Sequence, residues 1–137
     1  MTRFYELPDY MDYGELRQCF IEYLVIYANN TNKDNIYYAL DELLELADRQ
    51  WHTYEFIDKD VKEQLEKYLI SIIEFDDEEI MDSMLCIIPR IGLENVFNYI
   101  LKFKSSIINK KIKSRIEDSI NEYGETVDNP YSGMENI

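Results

Sequence analysis

Six times along this chain, apolar side chains return at steps of three and four, and almost nothing interrupts them. That spacing gathers apolar groups on one stripe of a 3.6-residue helix and does not alternate them as a strand would. Only 4 of the 137 residues are Gly and 3 are Pro, too few for the frequent turns of a β-rich fold. The chain is therefore restricted to helices packed on helices.

The first stripe is Leu16, Cys19, Phe20, Tyr23, Leu24, Tyr27 and Ala28, in a helix expected over 13–28. Its aromatic and β-branched content would also suit a strand, but the spacing favours helix. Asn29-Asn30-Thr31-Asn32 breaks the pattern. A second helix is expected over 33–49 on Ile36, Ala39, Leu40, Leu43, Leu44, Leu46 and Ala47, capped by Asn32 or Asp34. Gln50 to Ile57 holds Trp51, His52, Tyr54 and Phe56 without helical spacing and reads as an aromatic connection packed on its neighbours. A third helix starts at Asp58 as its cap and carries Val61, Leu65, Tyr68, Leu69, Ile72 and Ile73. Asp76-Asp77-Glu78-Glu79 opens a fourth on Ile80, Met81, Met84, Leu85, Ile87 and Ile88, which ends near Pro89 and Gly92. A fifth is expected over 94–104 and a sixth over 106–123, the latter closed by Gly124.

A chain of this length is one domain by size. Residues 1–124 read as a single helical domain and 125–137 as a loosely ordered tail with Pro130 and Gly133. Short connections make consecutive helices antiparallel. Helices two and three, then four and five, form hairpins of about 35–40 residues, near the period of helical solenoids. The expected fold is all-α, with antiparallel helical hairpins stacked as a short HEAT-like solenoid. No clean residue-for-residue repeat is present, so a compact helical bundle is the alternative.

The formal net charge is −14, from 28 acidic and 14 basic side chains. A chain this acidic repels nucleic acid and anionic membranes and attracts basic partners. The charge is unevenly placed. Residues 1–85 hold 7 basic and 21 acidic side chains, whereas 86–124 hold 7 basic and 4 acidic. Cys19 and Cys86 lack any C-x-x-C neighbour, stand among apolar residues and are expected as buried free thiols in a reducing cytosol. The first residues, Met1 to Glu6, show no basic region followed by an apolar run. No stretch approaches the roughly 18 uninterrupted apolar residues of a membrane span. A cytoplasmic location is expected.

No nucleophile motif, phosphate loop or calcium-loop spacing is present, and His52, the one histidine, reads as a structural hydrogen-bonder. No catalytic residue, cofactor or metal ligand is expected. The stretch Lys102 to Arg115 reads as a solvated basic face. The residues that point to function are acidic. Asp41, Glu45 and Asp48 fall at steps of four and three on one face of the second helix, with Glu42 beside them. Like charges stacked this way without interspersed lysine are unfavourable, which suggests a binding face. Asp76, Asp77, Glu78, Glu79 and Asp82 form the densest acidic run, a helix start or a contact patch for a basic partner. The chain has 12 tyrosines, and Tyr37 and Tyr38 adjoin the acidic face as rigid contact residues with a polar tip.

Three segments carry a family resemblance: Ala39-Leu40-Asp41-Glu42-Leu43-Leu44-Glu45-Leu46, the run Asp76 to Leu85, and Ile87-Ile88-Pro89-Arg90-Ile91-Gly92. Together with size, acidity and abundant Ile, Asn, Lys and Tyr, they make the stretch from Ile36 to Tyr123 resemble the small HEAT-like immunity proteins of bacterial polymorphic toxins. These include the immunity proteins of contact-dependent growth inhibition systems. The resemblance implies a one-to-one complex with a basic toxin domain, such as a nuclease, whose substrate-binding surface the inhibitor covers. It supplies no catalytic residues. The same sequence grammar also fits a helical-repeat adaptor that binds an ordinary cellular protein.

Overall fold

The computed structural model describes residues 4–28 and 36–131. Six α-helices make up the body: α1 (Tyr13–Tyr27), α2 (Ile36–Trp51), α3 (Lys59–Ile72), α4 (Glu78–Ile91), α5 (Glu94–Phe103) and α6 (Lys110–Tyr123). There is no strand among the described residues. The caps expected at Asn32 or Asp34 lie outside them.

Consecutive helices reverse direction, yet the main packing joins helices two apart. α2 and α4 share the largest interhelical contact, and α4 also packs on α6, α1 on α3, and α3 on α5. Each of these pairs runs in the same direction. The Tyr37 hydroxyl, at the start of α2, donates to Asp77 at the start of α4, and Asp48 meets Arg90 where both helices end. The Asp58 N–H, at the start of α3, donates to the Tyr13 hydroxyl oxygen at the start of α1 (2.6 Å). The even-numbered helices thus form one row and the odd-numbered helices another. Tyr23, from the later part of α1, joins the rows by donating to the Ala39 carbonyl near the start of α2 (2.6 Å). This is the order of a short helical solenoid. The expected pairing of helices two and three is the weaker part of it, because α2 packs mainly on α4 and α1.

The core lies between the rows. Leu16, Phe20 and Tyr23 come from α1, Leu40, Leu43 and Leu46 from α2, Leu65 and Leu69 from α3, and Met81, Met84, Ile87 and Ile88 from α4. Phe97 and Ile100 of α5 and Ile112 and Ile116 of α6 complete it. Each such fully buried side chain contributes about 1.5–3 kcal/mol.

Local chemistry sets the helix ends. Asp12 caps α1 by accepting from the Glu15 N–H (2.8 Å), and Asp77 caps α4 by accepting from the Ile80 N–H (3.0 Å). Asp58 stands at the cap position of α3, but its side chain makes no cap bond and takes Arg17 instead. α5 has no cap of its own at Leu93. Buried Glu66 of α3 replaces it, accepting from the Asn95 N–H (2.8 Å) and side-chain amide (3.0 Å). α6 begins four residues later than its apolar pattern suggests. Lys104–Ser106 is a 3₁₀ turn, and the Asn109 carboxamide oxygen caps α6 through Lys111 and Ile112. Ile107 is buried and Ile108 is exposed.

Two polar residues of α2 anchor the segment before α1. Glu42 is 1% exposed and its Oε2 accepts from the Phe4 N–H (3.0 Å), which seats the Phe4 ring in the core. Arg49, 5% exposed, donates to the Pro8 and Leu7 carbonyls (2.9 Å each) and to Glu45. At the other end, Gly92 is left-handed (φ 87°) and its N–H closes α4 on Ile88. A Cβ there would stand 2.7 Å from the Asp128 carbonyl oxygen. Residues 127–131 pack back on the body: Val127 is buried, and the Trp51 indole N–H donates to the Pro130 carbonyl (3.0 Å). Cys19 is buried as expected, whereas Cys86 faces outward on α4, off its apolar stripe.

Two substitutions probe these anchors. Arg49→Leu leaves the Leu7 and Pro8 carbonyls without their donor and lowers the unfolding free energy by about 2–3 kcal/mol in a urea titration. Arg49→Lys restores only part of it, since an ammonium cannot reproduce the guanidinium fork. Gly92→Ala, strained in φ and crowded against Asp128, costs about 2 kcal/mol or more in the same titration.

Candidate interaction surface

The outer side of the even row carries most of the acidic residues singled out from the sequence. Because α2 and α4 are parallel, their amino-terminal ends lie together. Tyr37 is 42% exposed, and its hydroxyl bonds Asp77 across the two helices. Asp41 follows one turn along α2 and is exposed, as are Asp76, Glu78 and Glu79 around the start of α4. Asp41, Asp76, Glu78 and Glu79 meet no cation among the described residues. The backbone supplies part of the compensation. The free N–H groups of a helix start favour nearby carboxylates, and α4 places Glu78 and Glu79 in its first turn.

The electrostatics of this end show in two groups. The Asp77 carboxyl is held below its ordinary value, first by the Tyr37 hydroxyl and then by the Ile80 N–H. The Tyr37 phenol is pushed up, first by its hydrogen bond to Asp77, with the Asp77, Glu79 and Glu74 charges adding to it. Glu74, absent from the sequence-based candidates, thus belongs to the same field.

The remaining candidates separate from this group. Glu42 was expected beside the acidic face, but it points into the core and holds Phe4. Its place at the third and fourth steps from Ala39 and Leu46 puts it on the apolar stripe, and the Phe4 N–H compensates its burial. Glu45 is engaged by Arg49 (2.8 Å), Asp48 by Arg90 (3.6 Å) and Asp82 by Arg115 (3.0 Å). The carboxy-terminal half of the face is therefore of mixed sign, and Arg115 brings one cation to Asp82, a turn past Glu78. Tyr38 is half-buried and packs against the core. Leu44, Glu45, Asp48 and Arg90 line a shallow depression between α2 and α4. Arg90 also borders a depression between α4 and α6 with Asp82, Arg115 and Glu122. Arg90 and Arg115 were not singled out, since nothing in the sequence says that they reach the acidic face.

In the basic stretch, Lys104 pairs with Glu117, while Lys110 and Lys111 are exposed. His52 makes the structural bond expected of it, Nδ1 to the Asp48 carbonyl (2.8 Å). A groove of about 580 Å³ runs between α1 and α3, lined by Ile21, Leu24, Val25 and Tyr68 and rimmed by Asp60 and Lys67. No group of three or more His, Cys, Asp or Glu side chains is arranged to hold a metal ion among the described residues, and no helix there is long and apolar enough to cross a membrane. No protein-family model, curated protein or solved structure matches the chain.

The Tyr37–Asp77 link has a measurable signature. A carboxyl held low in the folded state stabilises the fold above about pH 4, and that stability is lost as the pH falls through the depressed value. Asp77→Asn keeps the capping oxygen and removes the charge. Its Tm deficit against the unsubstituted chain is therefore largest at pH 7 and smaller at pH 3. A deficit equal at both pH values contradicts the assignment.

Proposed function

We propose that the chain is an immunity protein that neutralises a basic toxin domain by covering its substrate-binding surface, with the amino ends of α2 and α4 as the contact. The observation that carries this is the set of carboxylates at Asp41, Asp76, Glu78 and Glu79, exposed and without a cation among the described residues, around the rigid Tyr37 ring. Such a set is unfavourable in the isolated chain and becomes favourable against a cationic surface. A nuclease is a fitting target class, because its phosphate-binding groove must be cationic, and carboxylates can occupy it as phosphates do. The charges would raise the association rate, and buried aromatic contacts would set the lifetime of the complex.

A second reading has one observation in its favour. The pair Asp48–Arg90 gives the carboxy-terminal end of the face mixed sign, and Arg115 adds a cation beside Asp82 nearer its start. A helical-repeat adaptor docking on an ordinary protein surface of mixed charge would use such a face.

Co-expression separates the readings. The chain rescues cells from the toxin domain encoded beside it, with a one-to-one complex on purification, and an adaptor gives no rescue. The variant Asp41→Lys/Glu78→Lys/Glu79→Lys avoids Glu45 and Asp48, which are already paired with Arg49 and Arg90. It retains the helical spectrum and loses the rescue. Rescue unchanged in this variant places the contact elsewhere, and no rescue by the unsubstituted chain rejects the immunity reading.

A further inference from the structure

The corner where α2 gives way to α3 carries a network of rings that the acidic face does not explain. Trp51 contacts His52, Tyr54 and Tyr131, with centroids 5.3, 6.1 and 5.9 Å away. Tyr54 stacks on Tyr131 (5.7 Å), Phe56 meets Tyr131 edge-on (5.9 Å), and Tyr10 meets His52 edge-on (5.6 Å). The rings are not packed away. Tyr10 is 77% exposed, Tyr54 60% and Phe56 58%. The network is built from three distant segments, and hydrogen bonds fix it from behind. Trp51 donates to the Pro130 carbonyl, and the Tyr131 hydroxyl donates to the Gln50 and Glu55 carbonyls (3.2 and 3.3 Å).

Tyr54 has φ 58° and is the non-glycine residue with a left-handed backbone among those described. A side chain with a Cβ adopts that conformation at a cost, and glycine does so without it. The fold therefore holds a large ring outward at a position whose backbone glycine would adopt at less cost. Three exposed carboxylates neighbour the ring-bearing residues in sequence: Asp9 before Tyr10, Glu55 between Tyr54 and Phe56, and Asp128 three residues before Tyr131. None of the three makes an ion pair among the described residues.

We propose that this aromatic corner is a binding site for an arginine-bearing segment of a protein partner. A guanidinium lies flat on aromatic faces and offers its edge to carboxylates, so it uses both features at once. A nucleic-acid base would also stack on the rings, but the carboxylates oppose its phosphates. The depression bordered by Trp51, Arg90 and Glu122 continues the corner into the even-row face. One partner can therefore span both. The inference rests on the proposed function for the partner's positive charge, and not on that partner being a toxin.

Trp51 is the one tryptophan of the chain, so its fluorescence reports this site directly. The whole chain is titrated with a tetra-arginine peptide, and with tetralysine and tetraglutamate as controls. Tetra-arginine produces a saturable change in Trp51 emission, tetralysine binds at least about threefold more weakly, and tetraglutamate produces none. Tyr54→Gly removes the ring and relieves the backbone, so the Tm is held while tetra-arginine affinity falls at least about threefold. An unchanged affinity in Tyr54→Gly, with or without a fall in Tm, overturns the proposal and leaves the ring a structural role. The Asp41→Lys/Glu78→Lys/Glu79→Lys variant keeps the Trp51 response if the corner is the site. Loss of the response there, with Tyr54→Gly unaffected, puts the peptide on the acidic end, which rejects the corner and spares the proposed function. A Tyr54-dependent response in a chain that rescues no cell retains the corner and rejects the toxin reading.

Discussion

α2 and α4 are separated by a whole helix in sequence, yet they run side by side in the same direction, and their contact is the largest in the molecule. The remaining arrangement depends on that parallel alignment. It brings two helix starts together, and with them Tyr37, Asp41 and the acidic turn before α4. Charges that would repel on one helix are collected on two, beside the unpaired N–H groups of a helix start. An antiparallel pairing of the same helices would have put the acidic turn against Arg49 and dispersed the patch. The function proposed for the chain thus descends from a packing choice made by its apolar residues.

The helices were legible in the sequence because their apolar spacing is regular and because the row packing needs only one stripe from most of them. Polar residues that act through tertiary contacts were not. Glu42 looks like one more surface acid, and only the docking of Phe4 against α2 tells it from Asp41. Asp58 looks like a cap, but Arg17 of the neighbouring helix takes its carboxylate. α5 has no local cap at all, and Glu66 reaches it from α3. In α6, Ile107 and Ile108 extend the apolar period past the true start, because Asn109 captures two backbone N–H groups and fixes the first turn behind them.

The candidate site was legible in half. Residue type and spacing identified the acidic turn and Asp41, whereas the pairing of Glu45, Asp48 and Asp82 with arginines depends on which helices adjoin. The aromatic segment after α2 stood out by composition. Its partner Tyr131 did not, since a segment with Pro and Gly and no apolar period reads as loose even when single residues such as Val127 and Tyr131 pin it to the body. Local pattern finds the elements, and the long-range contacts decide which of their polar residues remain available to another molecule.

The central claim is that the joined starts of α2 and α4 receive a cationic protein surface. Amide hydrogen exchange of the chain, alone and with the basic protein domain proposed as its partner, tests this most directly. The account predicts slowed exchange on binding at 36–41 and 74–82, with α5 and the groove between α1 and α3 unaffected. Protection confined to that groove or to α5 and α6, with the acidic ends exchanging as they do in the free chain, would contradict it.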